Sequence, residues 1–309
     1  MKHALLPFLF AYLCITTTTA LAAAMSKHIL VTGGNKGIGK AICQRILEQY
    51  PDTCVILGSR NVQRGEEACR DILSTCNNNN IAKDRLSMVQ IDTSSDASVQ
   101  KAAEEIAQKF QAAGVPSLYG IVNNAGIGWG HTFEQTLQTN YFGPKRVNAA
   151  FGNLLQKPGG RIVNIASASG PMFVAGLQDS NNLKDVLSFP LKAGLTLEDL
   201  DDIARGYFGQ TDYNSDGYGL SKALLNAYTV IYAQENGNNL VMNSCSPGYI
   251  LTDMTRGMGA SNPPSKGAEC PVTLLMEDGV ATGWYYGSDS VRSPLNVYRG
   301  PGDPPYEGE

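Results

Sequence analysis

Short apolar runs alternate with longer amphipathic stretches along most of the chain. The short runs are rich in Val, Ile and Leu and predict buried strands, whereas apolar positions spaced three or four apart predict helices between them. Such alternation indicates a parallel sheet that is covered by helices on both faces. The predicted strands are 28–32, 53–58, 86–91, 118–123, 161–166 and 240–245.

The connections between these strands follow a known geometry. A strand that returns to the same sheet through a helix crosses over with a right-handed turn, which gives a doubly wound, Rossmann-type α/β sheet. No internal repeat or linker interrupts the pattern, so residues 25–295 are predicted to form a single domain. The predicted helices lie near 37–49, 63–75, 96–112, 133–156 and 218–235.

Three segments fall outside the alternation. Residues 171–217 are long for a connection and predict a helical insertion over or beside the functional site, in which Thr196 caps a helix that runs to about Tyr207. Residues 296–309 are polar and rich in Pro and Gly, which predicts a flexible tail. The asparagines at 77–80 predict a loop tip.

Residues 1–24 have the order of a secretory signal peptide, with a basic start, an apolar centre and a small-residue end. The apolar centre is too short for a membrane span, and no later stretch is long enough, so no stable span is expected in the mature chain. A start at Met25 is the alternative. A working leader directs the protein to the endoplasmic reticulum and secretory pathway, whereas a start at Met25 leaves it in the cytoplasm.

Composition sets limits on the function. The 309 residues are 43% hydrophobic and 17% charged, which is sufficient for one sizeable core. The net charge of −4 gives no support for nucleic-acid binding. The 7 cysteines show no metal-ligand spacing, so we expect reduced structural thiols and no metal site. Reduced thiols conflict with an oxidising secretory compartment, and the sequence leaves that conflict open.

The turn after the first predicted strand carries the clearest binding signal. It reads Thr-Gly-Gly-Asn-Lys-Gly-Ile-Gly at 32–39 and opens a helix. Glycines there permit a tight turn and close approach of the backbone to a pyrophosphate, and the helix N-terminus attracts the anion. The predicted dinucleotide contacts are Gly33, Asn35, Lys36, Gly37, Ile38 and Gly39.

The second predicted strand indicates which dinucleotide binds. An acidic residue at its end would hold the ribose 2′-hydroxyl of NAD, but the strand ends at Arg60, with Arg64 one helical turn later. Together with Lys36 these cations favour the 2′-phosphate of NADP(H), and solvated surface arginines are the alternative. Asp92, at the end of the third strand, is a candidate acceptor for adenine or a simple turn residue.

The end of the fourth predicted strand reads Asn-Asn-Ala-Gly at 123–126. Small residues and amides favour a floor beneath the adenosine half of the cofactor at this point. The alternative is a structural turn that the asparagine side chains stabilise. The predicted floor residues are Asn123, Ala125 and Gly126.

Tyr218 and Lys222 have the spacing Tyr-x-x-x-Lys. Residues four apart share one face of a helix, so the phenol and the ammonium can enter the same cleft. A nearby cation favours the phenolate and lowers the pKa of a tyrosine from about 10 towards neutrality. The spacing alone is common on helices, but beside a dinucleotide site it predicts proton transfer.

Taken together, these motifs resemble the short-chain dehydrogenase/reductase family over roughly 27–295. The resemblance implies a Rossmann-type fold, a nicotinamide cofactor and a small-molecule carbonyl or alcohol substrate. The features that carry it are the glycine turn at 32–39, Asn-Asn-Ala-Gly at 123–126, Asn140, Ser167, Tyr218 and Lys222.

Finer details resemble the monomeric NADPH-dependent carbonyl reductases of that family. Ser167 and Tyr218 are much further apart than in typical members, and this branch carries an insertion of similar size that resembles a helical block over the usual tetramer contact. The insertion therefore predicts a monomer or a loose dimer. The local matches lie at 31–39, 60–65, 139–143 and 246–249.

The resemblance also implies catalytic roles. Tyr218 would protonate a carbonyl oxygen as hydride arrives from the nicotinamide, and Lys222 would lower the pKa of Tyr218 and hold the nicotinamide ribose. Ser167 would polarise the carbonyl through a hydrogen bond. Asn140 would anchor a water-mediated proton path to Lys222. The implied neighbours of the nicotinamide are Pro247, Gly248 and Thr252.

The choice of serine has an alternative. Alignment on Asn164 and Gly170 makes Ser167 the catalytic serine and leaves Ser169 as the fallback. Aromatic residues complete the set of candidates. Tyr249 stands where carbonyl reductases often have an aromatic wall, with core packing as its alternative, and packing is the favoured role for the two tryptophans, Trp129 and Trp284.

The leading function is NADPH-dependent reduction of a ketone, aldehyde or quinone carbonyl to the alcohol. The alternative is a specific pterin, steroid or terpenoid ketone reductase of the same family, since pocket-lining loops set specificity. A non-catalytic NADP(H)-binding sensor is a third hypothesis. It predicts loss of a catalytic residue, whereas all the implied ones are present.

Overall fold

The computed structural model describes residues 26–76, 83–178, 182–210 and 216–308. Its strands are β1 Lys27–Val31, β2 Thr53–Ser59, β3 Leu86–Gln90, β4 Gly120–Asn123, β5 Gly160–Ile165, β6 Leu240–Cys245 and β7 Tyr285–Tyr286. They form a parallel sheet in the order β3-β2-β1-β4-β5-β6-β7. The chain winds one way from β1 to β3 and the other way from β4 onward, which places a ligand crevice at the carboxyl ends of the central strands.

Helices cover both faces of this sheet and confirm the predicted doubly wound single domain. The helices are α1 Gly37–Gln49, α2 Val62–Thr75, α3 Asp96–Ala113, α4 Phe133–Asn140, α5 Phe142–Phe151, α6 Ser169–Gly176, α7 Leu183–Ser188, α8 Leu197–Arg205, α9 Asp216–Asn236, α10 Pro264–Gly267 and α11 Glu269–Met276.

Each predicted strand is present with ends that agree within two residues. The predicted helix at 133–156 is instead two helices, because the backbone at Tyr141 (φ −111°, ψ −60°) ends α4 and redirects the chain into α5. The pattern also gave no signal for β7, which has only the two residues Tyr285 and Tyr286. Such short edge strands lack the periodicity on which a prediction depends.

Two apolar clusters, one on each face of the sheet, hold the layers together. On one face, α3 and α9 bury side chains such as Ile106 and Leu224 against the strands. On the other face, α1 and α11 do the same with Ile46 and Leu275. Since both faces are covered, the central strands are mostly apolar, with a few buried polar residues such as Asn123 and Asn164, and the sheet edge at their carboxyl ends becomes the accessible site.

The insertion packs through α6, α7 and α8 against the long helix α9. The predicted cap is present, because the Thr196 hydroxyl accepts from the Asp199 N–H and the Asp199 carboxylate accepts from the Thr196 N–H. Asp201 on α8 accepts a hydrogen bond from the Tyr141 hydroxyl at 2.9 Å and forms an ion pair with Lys145. The insertion is therefore anchored to the core by a charge that is mostly shielded from water.

The C-terminal segment differs from the flexible tail that its composition predicts. Arg299 is 9% exposed, pairs with Asp289 and donates to the carbonyl oxygens of Gly300 at 2.9 Å and Asp303 at 2.8 Å. These bonds satisfy the guanidinium and hold the segment on the domain, a contact that polar composition does not reveal. The leader at 1–24 and the loop tip at 77–80 lie outside the described residues.

Within the described part of the chain, no helix is long and apolar enough to cross a membrane. The cysteines there are free thiols, and Cys43, Cys76, Cys245 and Cys270 are buried. Burial raises the pKa of the Cys69 thiol, which is only partly exposed, to about 11, so it stays protonated at neutrality.

Candidate active site

The glycine turn between β1 and α1 has the geometry of an anion cradle. Gly33 (φ +63°) and Gly37 (φ +54°) adopt left-handed conformations that other residues rarely take. Lys36 precedes α1 in an extended conformation, and no side chain caps the helix. The first N–H groups of α1 therefore point from a helix N-terminus towards the crevice, where they can bind a pyrophosphate.

Gly39 is required for close packing inside the turn. A Cβ atom at this position would overlap the Gly33 carbonyl oxygen and the Asn124 side-chain amide. That amide donates to the carbonyl oxygens of Thr32 at 2.9 Å and Gly33 at 3.2 Å. Asn124 thus ties the end of β4 to the glycine turn, a role that the sequence analysis did not assign.

Asn123, the neighbour of Asn124, turns its side chain into the core rather than towards the cofactor floor. It is 3% exposed, and its amide donates to the side-chain oxygens of Asn148 at 3.0 Å and Asn164 at 2.9 Å. The structural alternative therefore describes its side chain. Ala125 and Gly126 continue along the crevice, and Gly126 is exposed there. Adjacent side chains of a strand point to opposite faces, which explains why Asn123 enters the core while Asn124 contacts the glycine turn.

The predicted cations lie at the carboxyl ends of β1 and β2. Arg60 and Arg64 are exposed, and Lys36 forms an ion pair with Asp253 at 2.9 Å. Asp92 accepts from both the backbone N–H and the hydroxyl of Ser94, at 3.0 and 2.7 Å. Asp92 therefore has a turn role and its contact with adenine stays a prediction, while the two arginines are accessible to a phosphate.

Lys222 is buried at the start of α9, with 5% exposure. Its Nζ donates to the Ile165 carbonyl oxygen at 2.7 Å and lies 5.6 Å from the centre of the Tyr218 ring. Burial lowers the pKa of Lys222 to about 8, since a low dielectric disfavours the charged form. The predicted pairing of Tyr218 and Lys222 in one cleft is thus present.

The pKa of Tyr218 is shifted upward, whereas the sequence predicted a downward shift. Burial raises this pKa above its usual value, and the hydrogen bond with Ser167 opposes the rise. The phenol is accordingly held in its protonated form, next to the serine that the resemblance implied.

Ser167 and Ser169 lie together after β5. The Ser167 hydroxyl accepts from the Ser169 N–H at 3.1 Å, and the two hydroxyl oxygens are 3.3 Å apart. Of these two serines, Ser167 is the one that has a hydrogen bond with the Tyr218 phenol in the described part of the chain. That contact favours Ser167 over Ser169 as the serine that faces the reaction.

Asn140 ends α4 and is 1% exposed. Its side-chain oxygen accepts from the Ile127 N–H at 2.9 Å, and its amide donates to the Ile127 carbonyl oxygen at 2.9 Å and to the Ser221 hydroxyl at 3.1 Å. Asn140 thereby fixes the loop after β4 beside the catalytic helix. The water-mediated path from Asn140 to Lys222 stays a prediction.

The segment after β6 completes the crevice on the nicotinamide side. Pro247 is buried, and Gly248 has φ +91°. Thr252 stands opposite the glycine turn, because a Cβ atom at Gly37 would lie 3.4 Å from its methyl carbon. The segment after β6, which contains the implied nicotinamide neighbours, and the glycine turn therefore form opposite walls of one crevice.

Four exposed aromatic and sulfur-containing side chains form the outer wall of the site, namely Trp129, Tyr249, Met254 and Met258. The Trp129 ring lies 5.0 Å from the Tyr218 ring, so Trp129 borders the reacting phenol in addition to packing. Tyr249 is 48% exposed, and its hydroxyl donates to the Met258 carbonyl oxygen. Trp284 lies elsewhere, under the guanidinium of Arg292.

Comparison with known proteins agrees with this arrangement. The profile of the short chain dehydrogenase family matches residues 27–178. A relative from Mentha piperita, (-)-isopiperitenone reductase, is 30% identical over 87% of this chain and 98% of its own. Human carbonyl reductase [NADPH] 1 is 28% identical over 80% of this chain and 90% of its own.

A solved structure, menthone neomenthol reductase from Mentha piperita, superimposes with a TM-score of 0.68 at 26% identity over 86% of this chain and 99% of that one. The chain belongs to the short-chain dehydrogenase family of oxidoreductases. The resemblance read from the sequence is thereby confirmed at the level of family, fold and enzyme class.

Proposed function

We propose that this protein reduces a ketone, aldehyde or quinone carbonyl to the alcohol with NADPH. The observation that carries the proposal is the meeting of Tyr218, Ser167 and Lys222 at one end of the sheet, beside an open helix N-terminus. Two relatives named as reductases, which align with 87% and 80% of this chain, support the same chemistry.

The residues at the crevice fit NADPH. The glycine turn leaves room for a pyrophosphate where side chains would collide, and no side chain caps the N-terminus of α1. Arg60 and Arg64 are exposed where a 2′-phosphate would lie, and β2 ends without an acidic residue that would repel it. Bound NADPH would supply the hydride.

The chain's own groups would handle the proton. The Ser167 hydroxyl donates to the substrate oxygen, and the Tyr218 phenol transfers its proton to the same atom. Burial keeps the phenol protonated until hydride transfer raises the charge on that oxygen. Lys222, with a pKa of about 8, is largely cationic at neutral pH and stabilises the phenolate that remains.

The outer wall favours a bulky apolar substrate, which supports a specific terpenoid or steroid ketone reductase as the second candidate. Trp129, Tyr249, Met254 and Met258 are each exposed by 36% or more. Met254 lies against Gly128, so the loops after β4 and β6 face each other across the cleft. Exposed apolar surface of this kind marks a ligand groove.

The test is NADPH oxidation by the chain from Met25 onward, with quinones, aldehydes, α-dicarbonyls and cyclic terpenoid and steroid ketones. Tyr218→Phe should lower kcat by about 10²–10⁴-fold, while NADPH binding measured by fluorescence is retained. Turnover of many compounds supports the general reductase, and turnover of one cyclic ketone supports the specific one. Tight NADPH binding without any carbonyl reduction, in wild type as in the variant, would contradict both.

We also propose that the protein is a monomer, because α6, α7 and α8 of the insertion pack on α9. Light scattering that gives a stable tetramer would contradict this proposal. For localisation, the N-terminal sequence of the protein made in cells distinguishes a cleaved leader from a start at Met25.

A further inference from the structure

A second cavity, of about 750 Å³, lies beside the far end of α9. Its wall includes Val230, Ala233 and Gln234, whereas Tyr218 and Lys222 lie nearer the start of the same helix, roughly 18 Å and 12 Å before Val230 along the axis. Among the lining residues that the structure describes, none belongs to the catalytic or cofactor set. The cavity is therefore a separate place in the fold, with the volume of a small-molecule site.

Four aromatic residues, Phe189, Trp284, Tyr285 and Tyr306, line this cavity from three segments distant in sequence. Phe189 follows α7 in the insertion, Trp284 precedes β7, and Tyr306 lies in the anchored C-terminal segment. Aromatic rings offer large and rigid apolar surfaces, which favour a flat apolar molecule between them.

Two cations, Arg292 and Lys192, share the lining with these rings. The Arg292 guanidinium lies 4.2 Å from the centre of the Trp284 ring and 5.2 Å from that of Tyr306, so it is held between the two. The Lys192 ammonium lies 5.9 Å from the Phe189 ring. Within the described ranges neither cation has a carboxylate partner, and the lining includes no Asp or Glu.

Backbone contacts of Arg292 hold the C-terminal segment, in addition to the contact of its guanidinium with the Tyr306 ring. The Tyr306 N–H donates to the Arg292 carbonyl oxygen at 3.1 Å, and Arg292 also pairs with Tyr286 through a backbone bridge. These backbone contacts hold the segment, while the guanidinium is oriented by the two rings. A guanidinium fixed in this way is prepared to bind a carboxylate in a bidentate geometry.

We propose that this cavity binds a small organic anion with a flat apolar body, of the aryl carboxylate class. The rings of Phe189, Trp284 and Tyr306 would cover the body of the ligand. Arg292 would pair with the carboxylate, and the exposed Lys192 would add attraction at the rim.

Calorimetric titration of the protein with 2-naphthoate, with and without NADPH, tests the proposal. We expect one site whose affinity is unchanged by NADPH. The neutral analogue 2-naphthylmethanol has a similar shape and should bind at least about tenfold more weakly. Arg292→Gln should weaken naphthoate binding about tenfold or more, and Lys192→Gln about threefold, because Lys192 is exposed.

The matched control is Lys184→Gln. Lys184 lies in the same insertion and donates to the Ala175 carbonyl oxygen at 3.2 Å, outside the cavity lining, so naphthoate affinity should not change. Thermal melting checks that Arg292→Gln is folded. If that variant does not fold, Lys192→Gln and the neutral analogue decide the outcome.

Several results would overturn the proposal. Competition between naphthoate and NADPH would place the anion in the catalytic crevice. Equal affinity for the neutral analogue, or unchanged affinity in folded Arg292→Gln, would remove the role of charge. Absence of naphthoate binding to the wild type would also overturn it. A dimer that Leu191→Asp dissociates would then assign the cavity to a second copy of the chain.

Discussion

The cofactor end and the catalytic end of the crevice are built by different means. Around the glycine turn, the geometry depends on backbone conformation, an uncapped helix and exposed cations such as Arg60 and Lys36. Around Tyr218 and Lys222, it depends on buried or half-buried side chains whose pKa values are shifted. The cofactor end can bind a phosphate with cations that are exposed to water. The catalytic end can transfer a proton between groups that are shielded from water.

The contrast has an energetic consequence. Charges exposed to water interact weakly, so each exposed cation contributes modestly, whereas a buried ionisable group interacts strongly with its few neighbours. Substitutions at the catalytic end should therefore have larger effects than those at the cofactor end.

The largest effect is expected for Lys222→Met. It removes the cation that stabilises the phenolate of Tyr218 and leaves the Ile165 carbonyl oxygen without its donor. Carbonyl reduction should fall by about 10²–10⁴-fold in steady-state assays. Lys109→Met is the matched control, since Lys109 is exposed and forms its ion pair with Glu105 on α3. Equal rates for both variants would refute the role of Lys222.

Lys222 also predicts a pH dependence of stability. Its pKa is lowered from 10.5 to about 8 by burial, so the folded protein releases this proton before the unfolded chain does. Between these pH values the unfolded chain binds more protons, and the contribution of Lys222 to the free energy of unfolding rises with pH. Urea unfolding should show wild type gaining stability relative to Lys222→Met over that window, and a constant difference would contradict the assignment.

Gly39→Ala should have the next largest effect. The added Cβ overlaps the Gly33 carbonyl oxygen and the Asn124 amide, so the turn must shift. We expect a loss of about 1–3 kcal/mol in stability and weaker NADPH binding, measured by chemical unfolding and fluorescence titration. Gly176→Ala is the control, because a Cβ there meets no atom within 4 Å. Normal NADPH affinity in Gly39→Ala would show that the turn is not the cradle.

Arg60→Gln and Arg64→Gln probe the exposed cations. Each should weaken NADPH binding by about tenfold through loss of a charge-assisted hydrogen bond to the 2′-phosphate, while NADH binding stays the same. The measurement is the ratio of KM values for the two cofactors. Parallel losses for NADPH and NADH would indicate a general role in dinucleotide binding instead.

Asp253→Asn should have the smallest effect. The Lys36–Asp253 pair is exposed at both ends, with side-chain exposures of 62% and 54%, so its removal should change stability by less than about 1 kcal/mol. Freed from Asp253, Lys36 should strengthen NADPH binding slightly. A weakening of NADPH binding would mean that the pair itself positions the cofactor.

The sequence predicted the parts of the site that are written in contiguous motifs. The glycine turn and the spacing of Tyr218 and Lys222 were assigned correctly to their elements, since local periodicity fixes them. The sequence could not predict which of Asn123 and Asn124 contacts the glycine turn, because this depends on where each side chain points at the end of β4. Trp129 lies against the Tyr218 ring because of the conformation of the loop after β4. That loop is fixed by hydrogen bonds between Ile127 and Asn140, which belongs to α4.

By itself, the sequence determined the order of the six longer strands and of most helices between them, the family and the residues available for catalysis. Only the tertiary structure decided the direction of the Tyr218 pKa shift, the anchoring of the C-terminal segment by Arg299 and Asp289, and the cavity that joins Phe189 to Tyr306. Each of these depends on burial or on contacts between segments far apart in the chain. Local sequence patterns carry no information about the dielectric surroundings of a group or its distant partners, and folding supplies both.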